Sequence, residues 1–132
     1  MIILDASAAA ALLLRQPASE AIVRAIAEEE IAAPELMAVE LLSVLRGWVR
    51  SGQLSEPRAR EALEDLELLG LRWYAERPLL RMAWSFRDNA SAYDAVYLAL
   101  AEVLGERSRS ASVLTLDARL ARAFPERTLH PV

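Results

Sequence analysis

Two short apolar runs that each end at an aspartate decide the predicted fold: MIILD at residues 1–5 and SVLTLD at residues 112–117. Continuous apolar runs of this length are typical of strands buried on both faces of a parallel sheet. Helical patterns and further short apolar runs alternate between them. The alternation predicts one α/β domain over residues 1–132, with a central parallel sheet of four to five short strands and helices on both faces.

The predicted elements follow the order β-α-α-β-α-α-β-α-α-β-α-β. The strands are predicted at Met1–Leu4, Ile31–Ala33, Arg72–Ala75, Ser112–Leu116 and Thr128–Val132. The helices are predicted at Ala6–Arg15, Ala18–Glu30, Pro34–Ser51, Ser55–Leu69, Pro78–Asp88, Ser91–Leu104 and Ala118–Phe124. Pro34 is expected to open its helix because proline suits a first helical position. Ligands of open parallel sheets bind at the carboxyl ends of the strands, where Asp5 and Asp117 stand.

The composition excludes several kinds of chemistry. The 132 residues include no cysteine, and all fifteen basic residues are arginine. Thiolate catalysis, zinc ribbons, a P-loop lysine and a Schiff-base lysine are therefore excluded. The single histidine, His130, cannot form a histidine metal cluster, and we expect it to be structural. No glycine-rich turn follows the first strand, which excludes a nucleotide-binding Rossmann domain.

Net charge bears on the binding of nucleic acid, and the N-terminal segment bears on the compartment. The formal net charge is −4, so the chain lacks the basic field of a simple nucleic-acid binder. No signal segment is visible, and the apolar run Ala6–Leu14 is shorter than the roughly 20 residues that cross a bilayer. We therefore expect a cytoplasmic protein without membrane contact.

Four acidic residues interrupt apolar sequence instead of joining the charged faces of helices. They are Asp5 in IILDASA, Glu40 in MAVELLSV, Asp94 in SAYDAVYLAL and Asp117 in VLTLDARLA. Carboxylates in such settings are costly unless they are paired or bind a cation, and a group of them is self-repelling. Oxygen-only ligands favour Mg²⁺ or Mn²⁺ over zinc, so the pattern predicts a shared divalent-metal site. Glu102 is a weaker fifth candidate.

Each of the four acids also has a simpler structural interpretation. Asp5 and Asp117 both precede predicted helices and are placed as N-caps. Ser91 and Asp94 have the spacing of a capping box, with aspartate in place of the usual glutamate. The alternative for Glu40 is a residue on the exposed surface of its helix. Two of the four acids follow strands directly, and this favours the shared site over four unrelated roles.

Four longer motifs run in order along nearly the whole chain. They are ILDASA at residues 3–8, APELMAVELLSVLR at 33–46, SAYDAVYLALA at 91–101 and VLTLDARLARA at 113–123. Together they resemble PIN-domain proteins, and specifically the VapC toxins of type II VapBC toxin–antitoxin pairs. Ser7 and Thr115 match small hydroxyl residues that often flank the first and last acids of the family. Ser43 stands where the family often has a polar residue three positions after its glutamate.

The resemblance implies a function, a cofactor and two partners. The family's four acidic positions fall on Asp5, Glu40, Asp94 and Asp117, and its activity is metal-dependent cleavage of RNA. Asp5, Asp94 and Asp117 would bind Mg²⁺, or Mn²⁺, directly or through water, and Glu40 would bind metal or orient the attacking water. The family also implies a homodimer and a protein antitoxin that blocks the acidic site.

Further residues are candidates for contacts with these partners. RNA phosphates would require arginine, and the arginines near the motifs are Arg46, Arg50, Arg119 and Arg122. An antitoxin groove is expected around Gly52, with the candidates Leu45, Trp48, Val49, Leu63 and Leu66. We expect Trp48, Trp73 and Trp84 to lie in the core or in an interface, not to stack on bases.

The sequence leaves two other functions open. One is a catalytically inactive PIN-like interaction module, against which the complete acidic set argues. The other is a phospho-acceptor signalling domain with Asp5 or Asp94 phosphorylated, against which the absence of lysine argues.

Overall fold

Five parallel strands form the centre of the molecule in a computed structural model, which describes residues 1–107 and 110–131. The strands are β1 (Ile2–Leu4), β2 (Ile31–Pro34), β3 (Arg72–Tyr74), β4 (Ser112–Leu114) and β5 (Thr128–Leu129). They lie in the order β3-β2-β1-β4-β5, and every pairing is parallel. The strand order reverses between β1 and β4, which is where ligands of such sheets bind.

Seven helices flank the sheet in the described part of the chain. They are α1 (Ala6–Leu13), α2 (Ser19–Ile26), α3 (Leu36–Arg50), α4 (Glu56–Leu66), α5 (Leu80–Trp84), α6 (Ala92–Arg107) and α7 (Ala118–Ala123). A 3₁₀ turn, Arg77–Leu79, leads into α5. The architecture confirms the predicted single α/β sheet with flanking helices. None of these helices is both long and apolar enough to cross a membrane.

The core is built around β1, β4 and α6. Ile3, Leu4, Val113 and Leu114 have no exposed surface, as expected for parallel strands that are covered on both faces. Helix α6 is buried continuously over residues 95–101 and packs on β1, β2 and β4. Because Asp94 lies in the first turn of α6, this packing holds it near the carboxyl edge of the sheet.

The prediction that Pro34 opens a helix is wrong. Pro34 is the last residue of β2 and pairs with Tyr74 of β3. The next residue, Glu35, donates its backbone N–H to the carbonyl oxygen of Tyr74 at 2.8 Å, so the strand pairing continues past the proline. The φ of proline suits a strand end as well as a first helical turn, and the contact with β3 selects the strand. Helix α3 therefore begins at Leu36.

Most of the other predicted elements are also shorter in the structure, and for three of them a feature of the sequence accounts for the end. Helix α2 ends at Ile26, because residues 28–30 would place three glutamates at the negative end of the helix dipole. Helix α5 ends at Trp84, where the Ser85 hydroxyl bonds to a backbone carbonyl. Strand β5 ends at Leu129, since Pro131 has no N–H to extend the ladder. The predicted end of β5 at Val132 lies outside the described residues.

Candidate functional site

The pairing of β1 with β4 brings two loops together at the carboxyl edge of the sheet. Leu4 is in register with Leu114, so Asp5 and the segment that leads to Asp117 leave the sheet side by side. The hydroxyl of Ser7 donates to Asp5 Oδ1 at 2.7 Å and accepts from the backbone N–H of Leu116 at 3.0 Å. Ser7 therefore joins the two loops through a single hydroxyl.

Asp5 is a buried carboxylate, with only 8% of its surface exposed. Its Oδ1 also accepts the backbone N–H of Ala8 at 3.0 Å, which caps α1. Burial raises the pKa of Asp5, while hydrogen bonds from Ser7, Thr115 and Ala8 oppose part of that rise. Asp5 thus combines a structural role as an N-cap with a high free-energy cost of carrying charge.

Thr115 connects Asp5 to the last of the four acids. It is completely buried, hydrogen-bonds the Asp5 carboxylate and accepts the backbone N–H of Asp117 at 3.0 Å. Asp117 in turn caps α7, because its Oδ1 accepts the N–H groups of Arg119 and Leu120. The capping interpretations of Asp5 and Asp117 are both correct. Since the caps use only Oδ1 in each residue, capping and ligand binding are compatible.

Helices α3 and α6 supply the other two acids. The phenol of Tyr97 donates to Glu40 Oε1 at 2.7 Å, and this bond spans from α6 to α3. Tyr97 is 3% exposed and follows Asp94 by three residues, so both side chains lie on one face of α6. Asp94 and Ser91 together cap the start of α6. The backbone N–H of Asp94 donates to the Ser91 hydroxyl at 3.1 Å, and the Asp94 carboxylate hydrogen-bonds the same serine.

The four acids act on one another electrostatically. Desolvation raises the pKa of Asp94, and the charge of Asp117 raises it further. Desolvation likewise raises the pKa of Glu40, with added contributions from Asp5 and Asp94. The charge of Asp94 also raises the pKa of Asp5. The structure thus brings all four predicted residues into one group of mutually repelling carboxylates.

The spacing of these carboxylates is wider than that of a closed metal cage. Within residues 1–107 and 110–131, no three His, Cys, Asp or Glu side chains converge closely enough to enclose an ion. The donor atoms of the group are oxygens, which suit hard cations such as Mg²⁺ and Mn²⁺. Glu102, the weaker candidate, is directed elsewhere and forms an ion pair of 3.0 Å with Arg127.

A cleft of about 420 Å³ opens beside the acidic group. Asp94 lines it together with Arg87, from the segment after α5, and Arg119, from α7. The charge of Arg119 opposes part of the rise in the pKa of Asp94. Of the four predicted RNA-binding arginines, Arg119 is the one that lines this cleft.

A second groove lies between α3 and α4. It has a volume of about 330 Å³ and is lined by Leu42, Leu45, Arg46, Val49, Arg50, Glu56, Ala59, Arg60 and Leu63. Arg46 and Arg50 therefore lie in this groove and not in the cleft beside Asp94. Of the predicted groove residues, Leu66 is buried in the core, and Trp48 packs against the core without lining the groove.

Two site features differ from what the sequence indicates. Tyr97 is a site residue that the sequence interpretation missed, although its spacing from Asp94 and the need of a buried phenol for a partner could have identified it. Trp48 and Trp73 pack against the core as expected, but Trp84 is 68% exposed. Of the two predicted positions, core or interface, Trp84 therefore does not occupy the core, because α5 ends with this residue facing outward.

Comparison with known proteins identifies the family. A model of the PIN domain matches residues 2–124. Ribonuclease VapC1 of Mycobacterium tuberculosis is 37% identical over 123 residues, which cover 92% of this chain and 89% of that protein. Ribonuclease VapC3 of Pyrobaculum aerophilum is 36% identical over 129 residues, which cover 94% of this chain and 95% of that protein.

Solved structures support the same fold. The crystal structure of PAE2754 from Pyrobaculum aerophilum matches with a TM-score of 0.70 at 23% identity, over 92% of this chain and 78% of that one. The sarcin–ricin loop cleaving toxin VapC20 of Mycobacterium tuberculosis matches with a TM-score of 0.67 at 17% identity, over 93% and 95%. Because the family model and the sequence relatives both span most of the chain, the protein belongs to the PIN domain family, in the group of the VapC proteins.

Proposed function

We propose that this protein is a metal-dependent endoribonuclease, a toxin that hydrolyses RNA phosphodiester bonds and is neutralised by a cognate antitoxin. The observation that carries the proposal is the coupled group of Asp5, Glu40, Asp94 and Asp117 at the carboxyl edge of β1 and β4. The names of the relatives support it, since proteins 36–37% identical to this chain are called VapC ribonucleases.

The donor set fits a divalent cation. Asp5, Asp94 and Asp117 would hold Mg²⁺ or Mn²⁺ directly or through water, with Glu40 as a further ligand. Mg²⁺ keeps several of its waters when it binds protein, so the carboxylates need not all converge to bonding distance. When bound, such an ion lowers the pKa of a coordinated water and stabilises negative charge on phosphate oxygens.

The chain's own residues would prepare the site for hydrolysis. Ser7 and Thr115 orient Asp5 through the hydrogen bonds already described. Tyr97 holds Oε1 of Glu40, so that the other carboxylate oxygen would accept a proton from the attacking water or orient it. The mutual repulsion of the acids favours binding of a cation over an empty site at neutral pH.

The α3–α4 groove is the surface that we assign to the antitoxin. Leu42, Val49 and Leu63 form its apolar part, which suits the apolar face of a helix. An antitoxin arginine would then reach the acidic group, because the planar guanidinium pairs with carboxylates through two hydrogen bonds. The cytoplasm would be the site of action, because toxin, antitoxin and RNA meet there.

A homodimer is part of the proposal. Large apolar side chains are exposed at several places, including Val39 and Leu80, and such patches often mark protein interfaces. Light scattering after size exclusion should give the mass of two chains for the free protein. Co-expression with a small adjacent reading frame should give a stable complex that does not cleave RNA, and a monomer without a partner would contradict this part.

RNA cleavage tests the proposal as a whole. The purified wild-type protein should fragment total RNA in Mg²⁺ or Mn²⁺, and EDTA should abolish this activity. Asp94→Asn should be inactive, whereas Glu102→Gln is a matched control that should retain activity, because Glu102 pairs with Arg127 outside the acidic group. Intact RNA with the wild-type protein and either metal would favour the inactive interaction module instead.

A further inference from the structure

Arg87 and Arg119 are the two arginines, among the residues that the structure describes, that line the cleft beside the acidic group. Arg58, Arg60, Arg72 and Arg127 all form ion pairs with glutamates. Among the residues that the structure describes, no carboxylate forms an ion pair with Arg87 or Arg119, and both line the cleft that contains Asp94. Two guanidinium groups without ion-pair partners therefore stand beside the candidate active site of an acidic protein.

The guanidinium of Arg87 is held in place by Trp84. It lies 5.1 Å from the centre of the indole ring, and its Nη1 donates to the Trp84 carbonyl oxygen at 3.1 Å. Both contacts orient the side chain without neutralising its charge. Arg87 is thus preorganised, and its remaining N–H groups are free to bind an anion.

Arg119 approaches the cleft from a different element. It lies in the first turn of α7, two residues after Asp117, and its charge acts on Asp94. Arg87 and Arg119 therefore line one cleft from the α5–α6 connection and from α7. Asp88 also lines the cleft but forms no ion pair with either arginine within the described ranges.

We propose that Arg87 and Arg119 form a phosphate clamp that binds the RNA strand next to the bond to be cleaved, with Trp84 as the residue that positions Arg87. The inference rests on the proposed function, because it concerns the substrate of the same site. Guanidinium groups bind phosphate oxygens through paired hydrogen bonds. A cleft of about 420 Å³ lies in the size range of small-ligand sites and accepts an unpaired nucleotide.

The clamp offsets the charge of the acidic group. RNA phosphates and the four carboxylates repel one another, so productive binding needs positive charge close to the scissile bond. The bulk of the protein does not supply it, since the net charge is −4. Two arginines at the mouth of the site supply this charge locally, and RNA affinity should depend on them more than on other surface arginines.

Binding of a fluorescein-labelled short single-stranded RNA of mixed sequence tests the clamp without cleavage. All variants are made in the Asp5→Asn protein, which should not cut RNA. Arg87→Gln and Arg119→Gln should each weaken binding on the order of tenfold, as expected for a lost charged hydrogen bond. Each should also reduce the slope of log affinity against log salt by about 0.7, the value for one phosphate contact to a single strand.

Arg122→Gln is the matched control. The sequence predicts Arg122 as an RNA contact, but it lies one turn beyond Arg119, is exposed and does not line the cleft, so it is not part of the clamp. It should leave both affinity and salt slope unchanged. Equal binding by the parent and the two clamp variants would overturn the proposal, and so would an equal loss in Arg122→Gln, because that result indicates a diffuse charge effect.

The role of Trp84 is tested by a double-mutant cycle. Trp84→Ala should weaken RNA binding about as much as Arg87→Gln, and the double variant should bind no more weakly than either single one. Additive losses would show that Trp84 contacts RNA independently, which would overturn its positioning role. RNA cleavage by the wild-type protein is measured in parallel. If the wild-type protein cleaves no RNA but binding still depends on Arg87 and Arg119, the result would contradict the proposed function and support the clamp.

Discussion

Tyr97 donates a hydrogen bond of 2.7 Å to Glu40, and this contact joins α6 to α3 at the acidic site. The two residues are 57 positions apart in sequence. The phenol is buried, and burial together with the neighbouring Glu40 charge raises its pKa, so Tyr97 remains a donor at all physiological pH values. Glu40 is consequently held in one orientation while it carries charge.

Replacement of Tyr97 by phenylalanine should weaken metal binding more than it disturbs the fold. The ring still fills its buried position, but Glu40 loses the donor that orients it. We expect an affinity for Mn²⁺ about tenfold lower, as for other residues that orient metal ligands. The free energy of unfolding should fall by about 1 kcal/mol for the lost hydrogen bond.

Tyr93→Phe is the control for this prediction. Tyr93 lies on the same helix and is 61% exposed, and its replacement should change neither quantity. Calorimetric titration with Mn²⁺ and urea unfolding measure both effects. Wild-type affinity in Tyr97→Phe would show that the hydrogen bond does not position Glu40 for metal.

Replacement of Asp5 by asparagine should not destabilise the metal-free protein. Asparagine keeps an Oδ1 that caps α1 and is as good an N-cap as aspartate. It also removes a buried charge that the neighbouring Glu40 and Asp94 would otherwise oppose. In EDTA, Asp5→Asn should melt at or above the wild-type temperature while RNA cleavage is lost. A clearly lower melting temperature would show that the buried carboxylate is stabilising in its own right.

The stability difference between these two proteins should depend on pH. The pKa of Asp5 is raised in the folded state, so the folded protein binds this proton more tightly than the unfolded chain does. The resulting stabilisation is complete below the unfolded pKa near 4 and is lost as pH rises through the folded pKa. In EDTA, the stability of Asp5→Asn relative to the wild type should therefore increase as pH rises above the unfolded pKa of Asp5. Urea unfolding at intervals measures the difference, and a constant difference would argue against the raised pKa.

Replacement of Thr115 by valine should lower the free energy of unfolding more than the similar shape of the two side chains suggests. The hydroxyl is completely buried and serves both the Asp5 carboxylate and the backbone N–H of Asp117. Its loss removes one hydrogen bond from the buried Asp5 carboxylate and the acceptor of the Asp117 N–H, which costs about 1–3 kcal/mol. Thr115→Ser keeps the hydroxyl and should lose much less stability. Comparable stability of the valine and serine variants in urea unfolding would refute the bridging role of Thr115.

Local pattern was sufficient to predict the sheet and the grouping of the four acids. Apolar runs that end in Asp5 and Asp117 indicate strand ends, and parallel pairing then places both residues at one edge. Pro34 was misassigned because its backbone angle suits two structures, and the choice depends on Tyr74, which lies 40 residues later. Whether such a segment forms a strand or a helix depends on its tertiary contacts, which the local sequence pattern does not reveal.

The same limit applies to the site. Glu102 and Asp94 both stand in apolar stretches of α6, but Glu102 pairs with Arg127 and Asp94 faces the other acids. Helical periodicity identifies the apolar setting and does not identify the partner. Tyr97 was missed for the same reason, since its hydrogen-bond acceptor lies on a different helix.

Calorimetric titration with Mn²⁺ tests most directly the claim that the four acids form one metal site. The wild-type protein, Asp94→Asn and Glu102→Gln should be titrated under identical conditions. Wild type and Glu102→Gln should bind with the same affinity, and Asp94→Asn should bind at least tenfold more weakly, on the order expected when a ligand of the ion is lost. Equal binding by all three proteins would contradict the account, because Asp94 is the acid whose charge is coupled to each of the other three.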